Sequence, residues 1–212
     1  MAQGKLIVIS GFSGVGKGTA IAQLMQKHPD RYAFSVSATS RKPRPGEVNG
    51  EAYYFISREE FRNMISEGKL LEYNVYGDNY YGTPAEPIDR LLADGKNVIL
   101  DIDFHGMHQI TAKRRDVCTI FMIPPSAEVL YRRISGRGTE TFGEIRERLA
   151  TAVTEGNYAK EYSSILTNDN LSDTVDALEA CIEAGGQDTA ERTNALKLTE
   201  RICKELKEYI ED

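Results

Sequence analysis

The apolar positions alternate between short unbroken runs and longer stretches in which they recur every three or four residues. Leu6-Ile7-Val8-Ile9-Ser10 is a β-branched run of the kind that is buried on both faces of a parallel sheet. A glycine-rich turn follows. From Thr19 to Lys27 the residues Ile21, Leu24 and Met25 then take helical spacing, and His28-Pro29 closes the segment. Further strands are predicted over Tyr32 to Val36, Asn97 to Asp103, Val117 to Ile123 and Ser164 to Thr167, with helical patterning between them. This order implies an α/β fold with a mostly parallel sheet flanked by helices.

Two stretches break the alternation. From Ser37 to Gly95 the pattern turns polar and tyrosine-rich around one clear helix, which starts at Ser57 with a capping box to Glu60 and carries Phe61, Met64 and Ile65. From Ser135 to Tyr158 the chain is rich in Arg, Gly and Thr. The first is expected to be an inserted lobe, residues 37–95, and the second an irregular, mobile lid, residues 135–158. The core is then 1–36, 96–134 and 159–212 of one domain. After Gly185-Gly186 a last helix, from about Asp188 to Ile210, sets Leu198, Ile202, Leu206 and Tyr209 on one face to pack back on that core.

Composition narrows the class. With 41% hydrophobic and 27% charged residues the chain is an ordinary globular protein, and no apolar run approaches a membrane span. The net charge of −6 argues against a nucleic-acid partner. No signal-peptide pattern opens the chain, so a cytoplasmic location is expected. Cys118, Cys181 and Cys203 lack metal-ligand spacing and are read as buried thiols.

Between the first strand and the first helix, Gly11-Phe12-Ser13-Gly14-Val15-Gly16-Lys17-Gly18-Thr19 has the spacing of a P-loop. Its N–H groups and the helix N-terminus suit phosphate, and Lys17 adds a point charge. Gly18 stands where the general motif has Ser or Thr, so the usual magnesium-ligating hydroxyl is displaced; Thr19 follows one position later. Asp101 and Asp103 fall two apart on a predicted strand and should point the same way. Arg132, Arg133, Arg137, Arg146 and Arg148 crowd into one span of an acidic chain, as a phosphoryl-transfer lid requires.

The stretch Ser37-Ala38-Thr39-Ser40-Arg41-Lys42-Pro43-Arg44-Pro45-Gly46-Glu47, with Gly50, Tyr53 and Phe55, resembles guanylate kinases. The resemblance runs from Lys5 to about Leu178, through Glu72, Gly82-Thr83-Pro84, Asp101-Ile102-Asp103, Pro124-Pro125-Ser126, Gly136-Arg137-Gly138-Thr139 and Asn168-Asp169. It implies a P-loop kinase fold and the transfer of the γ-phosphoryl group of ATP to GMP with Mg²⁺. By resemblance, Arg41, Arg44, Tyr53 and Tyr81 would hold the GMP phosphate, and Ser37, Glu72, Thr83 and Asp103 the guanine. Lys17, Arg133, Arg137 and Arg148 would meet ATP phosphates, Asn168 the adenine, and Asp101 magnesium through water.

Plainer roles stand beside several of these. Thr83-Pro84-Ala85-Glu86 has the form of a helix cap, Glu72 could be a polar strand residue, and Asn168 a turn former. Arg41 and Arg44 could be solvated loop charges, and Arg146 reads as a surface partner of Glu144 or Glu147. Phe12 departs from the family's proline and His105 from its glutamine; His105 is read as a surface or site-rim residue. A regulatory GTPase would share the loop and Asp103-x-x-Gly106, but the chain has no Asn-Lys-x-Asp motif. Adaptor modules of this type usually have a degraded loop, whereas Gly16, Lys17 and the arginines stand here.

Overall fold

The structure is a computed structural model and describes residues 3–136 and 141–211. It is mixed α/β. Among the described residues the larger sheet has five strands, ordered β2-β7-β1-β8-β9, and the smaller has four, ordered β4-β3-β6-β5. The strands are β1 (Leu6–Gly11), β2 (Tyr32–Phe34), β3 (Ala38–Thr39), β4 (Tyr54–Phe55), β5 (Leu70–Tyr76), β6 (Asn79–Pro84), β7 (Asn97–Asp101), β8 (Val117–Ile123) and β9 (Ser164–Thr167). The helices are α1 (Lys17–Lys27), α2 (Arg58–Ser66), α3 (Ala85–Ala93), α4 (Phe104–Lys113), α5 (Ala127–Ser135), α6 (Phe142–Gly156), α7 (Leu171–Ala184) and α8 (Thr189–Glu211). None of the described helices is long and apolar enough to cross a membrane.

The chain divides into two compact units, Met1–Leu6 with Pro29–Val117, and Ile7–His28 with Cys118–Asp212. In the first, β2 pairs parallel to β7, and α3 packs on β7. The predicted capping box opens α2: Ser57 Oγ accepts from the Glu60 N–H at 3.1 Å, and Glu60 Oε2 accepts from the Ser57 N–H at 2.7 Å. That start turns Phe61 inward, where it joins buried Ala38 and Leu70 and stacks on Tyr80 with centroids 5.2 Å apart.

Three expectations are corrected in this unit. The strand predicted over Tyr32 to Val36 stops at Phe34. The one predicted through Asp103 stops at Asp101, because the Asp103 carboxylate accepts the Gly106 N–H at 2.9 Å and caps α4 instead. Thr83 does not cap α3. Pro84 takes that position without a side-chain bond, and the Thr83 hydroxyl turns to Glu72.

In the second unit β8 and β9 run parallel, and α7 and α8 pack on β9. The predicted irregular lid is mostly helix: α6 opens at Thr141, whose hydroxyl accepts the Glu144 N–H, and buries Ile145, Leu149, Ala152, Val153 and Gly156 on one face. Only 137–140 of the lid segment lie outside the described residues. Arg146 rests over the Phe142 ring at 5.8 Å, a cation–π contact in place of the expected ion pair. The last helix forms as predicted. Its Ile202 and Leu206 are buried, and Tyr209 stacks on Tyr131 at 5.0 Å. All three cysteines are buried thiols.

Gly156 marks a close approach of side chains in this unit. A Cβ there would lie 2.4 Å from Cys203 Sγ and 2.5 Å from the Phe12 ring, whereas one at Gly143 on the same helix would meet nothing within 4 Å. Gly156→Ala is therefore expected to cost roughly 1–3 kcal/mol by overpacking. Gly143→Ala should be neutral or gain up to about 1 kcal/mol from helix propensity. Urea unfolding of the two variants checks the contrast, and equal stability would show that the α6–α8 contact yields.

Candidate active site

The phosphate loop lies in the second unit. Wholly buried β1 delivers the chain to Gly11, and α1 starts at Lys17 with no side-chain cap at Gly16, so its first N–H groups are left to an anion. Gly16 sits at φ 99°, in the left-handed region, and a Cβ there would come 2.8 Å from the Asn168 amide nitrogen. Lys17 Nζ rests on the Gly11 carbonyl at 3.2 Å. Gly18 and Thr19 are exposed in the first turn of α1.

The loop is fixed from below by residues distant in sequence. The Val15 carbonyl accepts from Asn168 Nδ2 at 2.8 Å and from Arg133 Nη1 at 2.9 Å, and Arg133 also donates to the Asn168 carbonyl at 2.9 Å. Asn168 is buried and accepts from the Thr174 hydroxyl at 3.1 Å. The Ser13 N–H donates to the Glu155 carboxylate at 2.7 Å. The Phe12 N–H donates to the Met122 carbonyl at 3.1 Å, while its ring is fully buried edge-on to Phe121. Arg148 places Nη2 3.7 Å from where a Gly14 side chain would begin. Arg137 lies outside the described residues.

The second cluster belongs to the first unit. Glu72 on β5 is registered against Thr83 on β6, and the Thr83 hydroxyl donates to Glu72 Oε1 at 2.5 Å. Both side chains are buried. Burial pushes the Glu72 carboxyl up to about 7; the Thr83 hydrogen bond pulls it down, the Asp103 charge adds to the rise, and Lys113 opposes it. Asp103 Oδ2 accepts from the Tyr76 hydroxyl at 2.5 Å; burial first, and then this hydrogen bond, raise the tyrosine's pKa. Ser37, Tyr53, Glu72, Tyr81, Asp101 and Asp103 line one cavity of about 280 Å³. Thr83 opens on a neighbouring one of about 170 Å³, shared with Ser37, Tyr53 and Asp101.

Arg41 is held over the Tyr53 and Phe55 rings at 5.4 and 5.6 Å, and the Tyr81 hydroxyl is a further neighbour. Its two terminal nitrogens form a fork with Glu47, at 2.9 Å each, and Nη1 also donates to the Lys42 carbonyl at 2.8 Å. The guanidinium holds the Glu47 carboxyl down at about 2, and Glu47 also accepts the Arg44 N–H at 2.7 Å. The Arg44 side chain is exposed, as is His105, whose ring lies against Phe104 at 4.0 Å. Every sequence-predicted residue of the acceptor lobe except exposed Arg44 thus lines these cavities or adjoins their tyrosines.

Several working residues went unread in the sequence. Glu47 could have been found from its opposite charge, six residues from Arg41 across a Pro-Gly turn. Glu155 and Tyr76 act across gaps of 142 and 27 residues that leave no local signal, and Thr174, six residues from Asn168, has only its place in the first turn of α7 to mark it. Among the described residues no group of three His, Cys, Asp or Glu side chains is arranged to hold a metal.

A family model described as guanylate kinase matches residues 3–185. A guanylate kinase of Trichormus variabilis is 46% identical over 179 residues, 84% of this chain and 89% of the relative. That of Thermosynechococcus vestitus is 48% identical over 84% of this chain and 93% of its own length. That of Clostridium perfringens is 47% identical over 86% and 84%. The crystal structure of guanylate kinase from Anaplasma phagocytophilum superposes with a TM-score of 0.67 at 29% identity, covering 90% of each chain. With the family model spanning most of its length and relatives near half identical, the chain belongs to the guanylate kinase family.

Proposed function

We propose that the protein transfers the γ-phosphoryl group of ATP to GMP, giving ADP and GDP, as a cytoplasmic enzyme of purine nucleotide metabolism. One observation carries the reading: two carboxylates, Glu72 and Asp103, line a cavity whose remaining wall includes tyrosines beneath a fixed guanidinium. Guanine presents N1–H and N2–H₂ donors to such carboxylates, and adenine lacks both. Ser37 and Thr83 complete the base end. Arg41, Arg44, Tyr53 and Tyr81 suit a phosphate dianion, which Arg41 would take in exchange for Glu47.

The loop from Gly11 to Thr19, with Ser13, Gly14, Val15, Gly16, Lys17 and Gly18, cradles the ATP phosphates, and Asn168 and Arg133 serve it by holding the Val15 carbonyl. Lys17, Arg41, Arg137 and Arg148 neutralise the migrating group. A GMP phosphate oxygen is already anionic at neutral pH, so positioning and charge suffice and no side chain need remove a proton. Mg²⁺ enters with ATP and, when bound, neutralises charge on its phosphates. Asp101, an exposed carboxylate at the carboxyl end of a parallel strand, fits an oxygen-seeking cation and would reach it through water.

In a coupled ADP-release assay GMP is expected to be used and AMP, UMP and dTMP refused, with GMP favoured over AMP by roughly 10⁴ in kcat/KM. Lys17→Ala should abolish transfer while the circular dichroism spectrum is unchanged; equal use of AMP and GMP by the wild type would sink the reading.

Glu72→Gln turns an acceptor into a donor facing donors. A lost charge-assisted bond lowers kcat/KM for GMP by roughly 10- to 150-fold, and the KM for ATP should stay put. An unaltered variant would remove Glu72 from base recognition.

The same residue makes a stability prediction. A carboxyl raised from 4.5 to about 7 binds its proton more tightly in the folded chain, so its contribution is full below 4.5 and is lost as pH rises through about 7. The unfolding free energy of the wild type relative to Glu72→Gln should therefore fall between these pH values, by at most about 3 kcal/mol. A difference that stays flat from pH 4.5 to 8 would show that Glu72 titrates normally.

A further inference from the structure

Among the described residues β5 is an edge strand, so one of its two rows of backbone groups has no strand to pair with. α4 supplies the missing partners with side chains. Gln109 Oε1 accepts the Tyr73 N–H at 3.1 Å, and its Nε2 donates to the Tyr73 carbonyl at 2.8 Å, so that one amide does what a residue of a neighbouring strand would do. One turn on, Lys113 Nζ donates to the Leu70 and Leu71 carbonyls at 3.0 and 2.8 Å. These four bonds bracket Glu72 on both sides.

The bracket falls where β5 is least regular. Its register against β6 shifts between Leu70 and Glu72, and a slip of one residue there would turn the carboxylate to the other face. α4 also begins at Asp103. In its first turn a Cβ at Gly106 would lie 3.2 Å from Glu72 Oε2, so the helix start and the strand are in near contact. One helix therefore carries one base-facing carboxylate at its cap and grips the strand bearing the other.

We infer that Gln109 and Lys113 are positioning residues for base selection, which set the separation and aim of Glu72 relative to Asp103. The inference rests on the proposed reading of those two carboxylates. Edge-strand protection alone would also place polar side chains here, but it would affect stability and leave the substrate preference untouched.

The test compares Gln109→Leu, Lys113→Met and Lys113→Arg with the wild type, below the unfolding temperature of each. The readouts are KM and kcat for GMP, the GMP-to-IMP ratio of kcat/KM, and the KM for ATP. IMP lacks the 2-amino group, so the ratio reports how well the carboxylates are aimed. Gln109→Leu and Lys113→Met should raise KM for GMP and compress the ratio, each by about tenfold or more, since a misplacement of about 1 Å can cost 10²-fold. The KM for ATP should not move, and Lys113→Arg, which can still donate to both carbonyls, should recover most of the ratio.

If Gln109→Leu does not fold, Gln109→Glu carries the same readout, because it keeps the stem and one acceptor but sets a carboxylate against the Tyr73 carbonyl. A lowered melting temperature with wild-type KM and ratio would overturn the inference while leaving the function intact. A wild type that does not prefer GMP would overturn the functional reading and this inference with it.

Discussion

Groups built to bind anions cannot stand bare in a folded chain, and much of this structure is arranged around that constraint. A buried or half-buried donor without an acceptor costs the desolvation of the group, more so when it is charged. Three such donors here rest on internal acceptors. Arg41 lies in a two-pronged fork with Glu47, the Ser13 N–H on the Glu155 carboxylate, and Lys17 on the Gly11 carbonyl. The acceptors are of graded strength. A carboxylate fork is geometrically matched to a guanidinium and holds Arg41 in one orientation, while a single carbonyl at 3.2 Å holds Lys17 loosely. On the proposed reading a phosphate would displace or share these partners, so the resting structure orders the donors without committing their full binding strength.

The proposed base end has the opposite problem, two acidic acceptors close together with donors in short supply. Thr83 and Tyr76 meet it by donating to Glu72 and Asp103, and burial leaves Glu72 with its pKa raised to about 7. Both donors are hydroxyls, which can turn to accept when a ligand supplies protons of its own. Thr83 is thereby explained. Its sequence context has the form of a helix cap, but the cross-strand register sets its hydroxyl beside a buried carboxylate, and that need is the more demanding one.

What was legible in the sequence was local. Loop, first strand and first helix lie within some twenty consecutive residues, and the mechanism itself fixes their spacing. Glu47 reports itself by charge, and Ser57-x-x-Glu60 by its capping pattern. Thr141-x-x-Glu144 carries the same capping signature, followed by Ile145, Leu149 and Val153 at helical spacing. The arginine- and glycine-rich run just before it suggests an irregular lid, yet that cap and stripe are sufficient for α6. Asp103 looks like strand continuation because period-two alternation cannot tell a last strand residue from a helix cap. Asn168, Glu155, Gln109 and Lys113 act on backbone groups 153, 142, 36 and 42 to 43 residues away, which no local pattern encodes.

The region beyond residue 185 lies outside the family model, and its packing bears on the departure at Phe12. A fully buried phenylalanine ring at the second loop position needs volume beneath the loop, and α6 provides it by ending on a glycine against that ring. A bare glycine would leave a void on its far side. Cys203 of α8 fills it, with Sγ as close to the missing Cβ position as the Phe12 ring is. α8 is in turn anchored by Arg192 to the Tyr162 and Lys160 carbonyls and by the Tyr209 stack on Tyr131. Interiors pack densely enough that such a triad must be matched in volume as a set. Phe12, Gly156 and Cys203 are therefore one packing solution, in which the C-terminal helix supplies the counter-surface for a residue of the phosphate loop.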